Sequence, residues 1–98
     1  MTEEAVFKMP ENIVSTTAED LRSRLKEALD QEPPGLVLDM QETRYVDSMG
    51  IGVLIAAYNS CRNKQVEFKV INVDKEILEL FTTMRLDQHF SIQSAGEG

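Results

Sequence analysis

The chain has 98 residues, 42% of them hydrophobic, with 5 Gly and 3 Pro, which is enough apolar material for one compact core and too little length for two. Its formal charge is −7 at pH 7, from 17 acidic against 10 basic residues. That balance argues against a nucleic-acid partner or a bare anionic membrane, because both are bound through Lys and Arg on phosphates. No apolar run approaches the roughly 20 residues that cross a bilayer, and the start Met1-Thr2-Glu3-Glu4 is acidic where a signal peptide is basic. The expectation is a single cytoplasmic domain over residues 1–98 without membrane insertion. Its acidity suits a basic protein partner as well as it suits plain solubility.

Taken in chain order, Ala5-Val6-Phe7-Lys8-Met9 reads as a short strand stopped by Pro10, and Ile13-Val14 as a second brief extended piece. Thr16-Thr17-Ala18-Glu19 has the spacing of a capping box, with Thr16 as cap. Behind it Ala18, Leu21, Leu25, Ala28 and Leu29 recur at three and four residues, so they share one helical face while Arg22, Arg24, Lys26 and Glu27 stay in water. Pro33-Pro34-Gly35 ends that helix, and Leu36-Val37-Leu38 reads as a strand that is apolar on both faces, hence central in a covered sheet.

A loop from Asp39 to Val46 leads to Asp47-Ser48-Met49-Gly50, after which Ile51, Leu54, Ile55, Tyr58 and Cys61 form a second helical stripe. Val66, Phe68 and Val70 alternate with Glu67 and Lys69, the pattern of a third strand. Asp74 is placed to cap a further helix whose Ile77, Leu78, Phe81 and Met84 point inward, and Phe90-Ser91-Ile92 reads as an edge strand. The tail over 93–98 is small and polar, and is expected to be flexible. Strands separated by helices imply an α/β domain, with a mixed four- to five-stranded sheet and α-helices packed on it.

Enzymatic chemistry finds little support. One cysteine, Cys61, and one histidine, His89, cannot build a structural zinc site, and they lie far apart in the chain with no third orienting group nearby. Cys61, on a helical stripe, reads as core packing, Met9, Met40 and Met84 read as core or rim packing, Met49 is a candidate exposed contact and His89 a surface side chain. Paired carboxylates and a phosphate-cradling loop are missing: Gly50-x-Gly52 is followed by Ile55 where a dinucleotide fingerprint needs glycine. No catalytic residue and no cofactor are expected.

The informative stretch is Asp47-Ser48-Met49-Gly50-Ile51-Gly52, which puts a hydroxyl and a carboxylate at a helix start beside two glycines. Helix N-termini expose unpaired N–H groups and the positive end of the dipole. On spacing alone two readings stand: a plain N-cap at Asp47 or Ser48, or a site where a phosphate on Ser48 is tolerated and a partner approaches the backbone at the glycines.

Asp47-Ser48-Met49-Gly50-Ile51-Gly52-Val53-Leu54 resembles the Asp-Ser-(Ser/Thr)-Gly-Leu-Gly signature of the STAS domain in anti-sigma-factor antagonists, and the order of strands and helices is similar over nearly the whole chain. The resemblance implies that Ser48 is phosphorylated by a partner serine kinase that is also an anti-sigma factor. It implies too that the unphosphorylated form binds that kinase and frees a sigma factor, and that a serine phosphatase resets the switch. Asp47, Ser48, Met49, Gly50, Ile51 and Gly52 are then the partner-binding stretch.

Three departures from the family pattern stand out. Met49 replaces the second hydroxyl residue. The family's Gly-Glu-Ile/Leu-Asp before its first helix reads Glu11-Asn12-Ile13-Val14 here, so an acidic position implicated in partner contact is lost at Val14. Arg85 stands near a turn position that is often glycine, and many relatives continue beyond the equivalent of Ile92 into another helix. The loss at Val14 keeps a second role in view, that of a constitutive STAS scaffold subunit in another complex such as a lipid-transport ABC system.

Overall fold

The structure is a computed structural model, and it describes residues 4–94. Strand β1 is Ala5–Lys8, β2 Asn12–Ile13, β3 Gly35–Asp39, β4 Tyr45–Val46, β5 Glu67–Val73 and β6 Ser91–Ser94. Helix α1 is Ser15–Asp30, α2 Ser48–Lys64 and α3 Lys75–Thr83, with a short 3-10 turn at Leu86–Gln88. Four strands form one sheet in the order β1-β3-β5-β6, and β2 pairs with β4 in a separate two-residue ladder. This is the expected α/β class with a four-stranded sheet, but the described pairings all run parallel where a mixture was expected. Parallel neighbours follow from the helices that return the chain to the same end of the sheet before each new strand.

The apolar strand β3 lies between β1 and β5, as its composition requires. Leu36 and Leu38 are fully buried in the main core, while Val37, on the opposite face by strand alternation, is also buried. On α1 the expected face Ala18, Leu21, Leu25 and Leu29 is buried. On α2 burial extends beyond the expected stripe to Gly50, Val53 and Ala57, because this helix packs against α1 as well as against β5. The edge strand β6 is anchored by the preceding Phe90, whose ring meets those of Phe68 at 5.1 Å, Tyr58 at 5.4 Å and Phe81 at 6.1 Å. Of the tail over 93–98 expected to be flexible, Gln93 and Ser94 belong to β6, and 95–98 lie outside the described residues.

Local details differ from expectation where tertiary contacts win. The capping box is not built on Thr16 and Glu19: α1 starts at Ser15, and the Thr17 hydroxyl accepts from the Val14 N–H at 3.0 Å. Asp74 occupies the cap position of α3, but its side chain makes no capping hydrogen bond. Met84, expected to point inward, is 45% exposed, since α3 ends at Thr83 and the chain turns away before another helical turn forms.

That turn is made by Arg85, whose φ of 62° and ψ of 24° lie in the left-handed region that costs a residue with a Cβ about 1–2 kcal/mol. Arg85→Gly relieves this strain and loses part of the gain to the freer unfolded chain. A net stabilisation of about 0.5 kcal/mol is expected, visible as a rise of about 2–4 °C in the thermal unfolding midpoint.

Candidate functional site

The site is assembled by the small β2–β4 ladder. Asn12 and Ile13 pair with Tyr45 and Val46, which fixes Tyr45-Val46 as extended; Val46 turns to the core while Tyr45 points out, 63% exposed. Around the ladder the loops are tied down. The fully buried Thr43 donates its hydroxyl to the Pro10 carbonyl at 2.7 Å, and the Arg44 and Tyr45 N–H groups both donate to the Glu11 carbonyl. At the end of β4 the Asp47 N–H donates to the Ile13 carbonyl at 3.2 Å, and the chain enters α2.

Asp47 is the N-cap of α2, and its carboxylate serves two helices at once. One oxygen accepts from the Gly50 N–H at 2.9 Å, inside α2's own first turn, and the other accepts from the Ser15 N–H at 3.1 Å, at the first residue of α1. The second bond bears on the acid missing at Val14. Val14 is the N-cap of α1 and has no side-chain acceptor, so the cap is supplied from Asp47 instead. The sequence contains Asp47 as a cap candidate, but no local pattern announces that it reaches a residue 32 positions away.

The two glycines of the signature do different things. A Cβ on Gly50 would come within 1.9 Å of the Ile13 carbonyl oxygen, so glycine is what allows β2 to lie against the first turn of α2. A Cβ on Gly52 would meet nothing within 4 Å. Nothing among the described residues therefore requires glycine at 52, even though glycine costs about 1 kcal/mol relative to alanine in a helix interior.

Ser48 is the first residue of α2 and is exposed, and Met49 beside it is 52% exposed. Gly50 and Ile51 are buried and Gly52 is half-buried. Of the stretch taken as partner-binding, Ser48, Met49, Gly52 and the rim of Asp47 reach the surface, whereas Gly50 and Ile51 shape it from beneath. A phosphate on the Ser48 oxygen would sit at the positive end of the α2 dipole, and no burial has to be undone for an enzyme to reach it.

The remaining chemistry lies elsewhere. Cys61 is fully buried and desolvation pushes its thiol up to about 11, which leaves almost no thiolate at neutral pH, while His89 is at the surface against the Tyr58 ring. Among the described residues no group of three or more His, Cys, Asp or Glu is placed to hold a metal ion, and no helix is long and apolar enough to cross a membrane. A groove of about 310 Å³ runs between α1 and α2 past Leu25, Leu29, Val53 and Ala57, but none of residues 45–52 lines it. The surface at Ser48 is open and suits a macromolecule more than an enclosed small ligand.

Comparison with known proteins agrees with this geometry. The family model described as the STAS domain matches residues 2–96. An anti-sigma-B factor antagonist of Listeria monocytogenes is 33% identical over 75 residues, which are 72% of this chain and 66% of that protein. The chain thus spans a little under two thirds of that relative's length. Among solved structures, an anti-sigma-factor antagonist (STAS) domain protein of Planctomyces limnophilus superposes with a TM-score of 0.81 at 18% identity, covering 93% of this chain and 82% of its own. The anti-sigma factor antagonist SpoIIAA in its unphosphorylated form gives a TM-score of 0.73 at 13% identity, over 99% of this chain and 84% of its own. The Bacillus protein SpoIIAA has also been solved phosphorylated, and that structure gives 0.72 at 14% identity over 94% and 84%. The signature around Ser48, the parallel sheet with its three helices and the match over nearly the full length together make this chain a member of the STAS domain family.

Proposed function

We propose that this STAS domain is an anti-sigma-factor antagonist that binds an anti-sigma factor with serine-kinase activity and is switched off by phosphorylation of Ser48. The observation that carries the reading is the placement of Ser48: exposed, at the first position of α2, next to an Asp47 whose two oxygens are already engaged. Such a serine is open to a kinase, and its modification disturbs no buried group. The name carried by the Listeria relative and the two phosphorylation states in which SpoIIAA was solved support the same role. A phosphatase that removes the group would reset the switch.

The mechanism needs only charge. Phosphorylation adds about −1.5 to −2 charges beside Asp47, on a domain whose net charge is already −7. Like-charge juxtaposition or an unpaired, desolvated phosphate in an interface costs several kcal/mol, and about 1.4 kcal/mol is tenfold in affinity. No refolding is required, since Ser48 is exposed in the unmodified state.

The test is to isolate the protein with its bound partners from its own cells, to examine Ser48 for phosphate by mass spectrometry, and to titrate the recovered kinase. Ser48→Ala is expected to bind the kinase as the native chain does and to stay bound when ATP is added; Ser48→Asp is expected to bind at least about tenfold more weakly. Equal binding by the two variants refutes the electrostatic switch. A stable transporter complex in which Ser48 carries no phosphate would make the domain a scaffold instead.

A further inference from the structure

Four large hydrophobic side chains stand exposed among the described residues: Val6, Tyr45, Met49 and Met84. Single exposed apolar residues are ordinary on a protein surface. Here, however, two of the four flank Ser48. The Met49 Cα is one peptide unit away, about 3.8 Å, and the Tyr45 Cα, three residues upstream, lies within about 11 Å even if the chain between is fully extended. Both fall inside the footprint of an ordinary interface, about 800 Å² on each partner.

We propose that Tyr45 and Met49, one before and one after Ser48 in the chain, are paired apolar anchors that seat in a cleft of the serine-kinase anti-sigma factor, and that Met49 helps select which kinase is bound. The proposal rests on the switch reading given above and adds its specificity determinants. Tyr45 is held rigidly for such a role: its N–H donates to the Glu11 carbonyl, its strand is paired with Asn12–Ile13, and the ordering of its backbone is complete before a partner arrives. Tyrosine is among the residues that most often carry interface energy, and methionine adapts its shape to an apolar cleft. Met49 also stands where the family signature has a hydroxyl residue, so a cleft fitted to Met49 would leave a polar side chain without a partner in relatives that carry one.

Charge defines the rest of the partner's surface. Asp47 and the exposed Glu11 border the anchors, and the whole domain is acidic. The complementary surface is an apolar cleft whose cationic groups lie on the side that meets Glu11, away from Ser48, so that a phosphate on the serine would meet no cation there. Gly52, one helical turn beyond Ser48, presents bare helix that the wall of the cleft can approach closely.

The experiment measures dissociation constants of the isolated kinase for the unphosphorylated native chain and for Tyr45→Ser, Met49→Ser, Val6→Ser and Met84→Ser. Both anchor variants are expected to lose about tenfold or more in affinity while the other two stay within about twofold of native. All four side chains are exposed, so thermal unfolding midpoints should remain together, which separates lost contact from lost fold. Anchor variants that bind within about twofold of native overturn this inference and leave the phosphorylation switch standing. If no serine kinase is recovered with the native chain, the switch fails, and the anchors fail with it.

Discussion

Gly50→Ala is expected to destabilise the domain by about 3 kcal/mol or more, lowering the thermal unfolding midpoint by about 12–24 °C. The added methyl would sit 1.9 Å from the Ile13 carbonyl oxygen and 2.9 Å from the Ile13 side chain. Neither neighbour is a free side-chain end that swings aside. The carbonyl is backbone and also accepts from the Asp47 N–H, and Ile13 is fully buried. Relief therefore requires β2 to part from α2, which breaks the Asp47 contact and opens the core at Ile13. The control is Gly52→Ala, two residues along the same helix. It meets no atom and should be neutral or stabilising by up to about 1 kcal/mol through helix propensity alone. Equal losses of stability from the two substitutions would show that glycine is needed at both positions for the helix itself, and not at Gly50 for the passage of Ile13.

Asp47→Ala is expected to cost about 2 kcal/mol, roughly 1 kcal/mol for each helix end that loses its side-chain acceptor. An ordinary N-cap substitution affects one helix, but here the Ser15 N–H of α1 and the Gly50 N–H of α2 both lose their partner. Asp47→Asn keeps one carbonyl oxygen and should retain about half of the stabilisation. Urea denaturation gives the totals, and amide hydrogen exchange gives the distribution, with faster exchange expected at both Ser15 and Gly50 in Asp47→Ala. Protection lost at Gly50 alone would mean that the link to α1 contributes nothing. The same variant bears on function, because an altered entry into α2 changes how Ser48 is presented.

Much of the fold was legible in the sequence because the signals are periodic. The stripe Ala18, Leu21, Leu25, Leu29 predicts α1, the unbroken Leu36-Val37-Leu38 predicts a central strand, and the alternation of Val66, Phe68 and Val70 predicts β5. The two-residue strand β4 was not legible: Tyr45-Val46 is extended only because Asn12-Ile13 lies beside it, and a pair so short has no period. The caps of α1 failed for the same reason. Thr16 and Glu19 have the right spacing, but the acceptor that α1 uses comes from the distant Asp47. At the site, the hydroxyl, the carboxylate and the two glycines could be picked out in advance. What could not be read was which glycine is internal and which faces out, since that depends on the Ile13 carbonyl, nor that Tyr45 stands exposed within reach of the same serine.

The bonds that shape the neighbourhood of Ser48 join parts of the chain that are remote in sequence: Ser15 with Asp47 is 32 residues apart, and Pro10 with Thr43 is 33. Pairing β1 with β3 and β3 with β5 closes loops of the same size, so this corner is completed only as the sheet itself assembles and not by helices and local turns alone. A nascent or partly unfolded chain already carries the serine, yet lacks the docked second strand and the shared carboxylate that set its surroundings. An enzyme or partner that reads those surroundings would thereby distinguish finished molecules from unfinished ones.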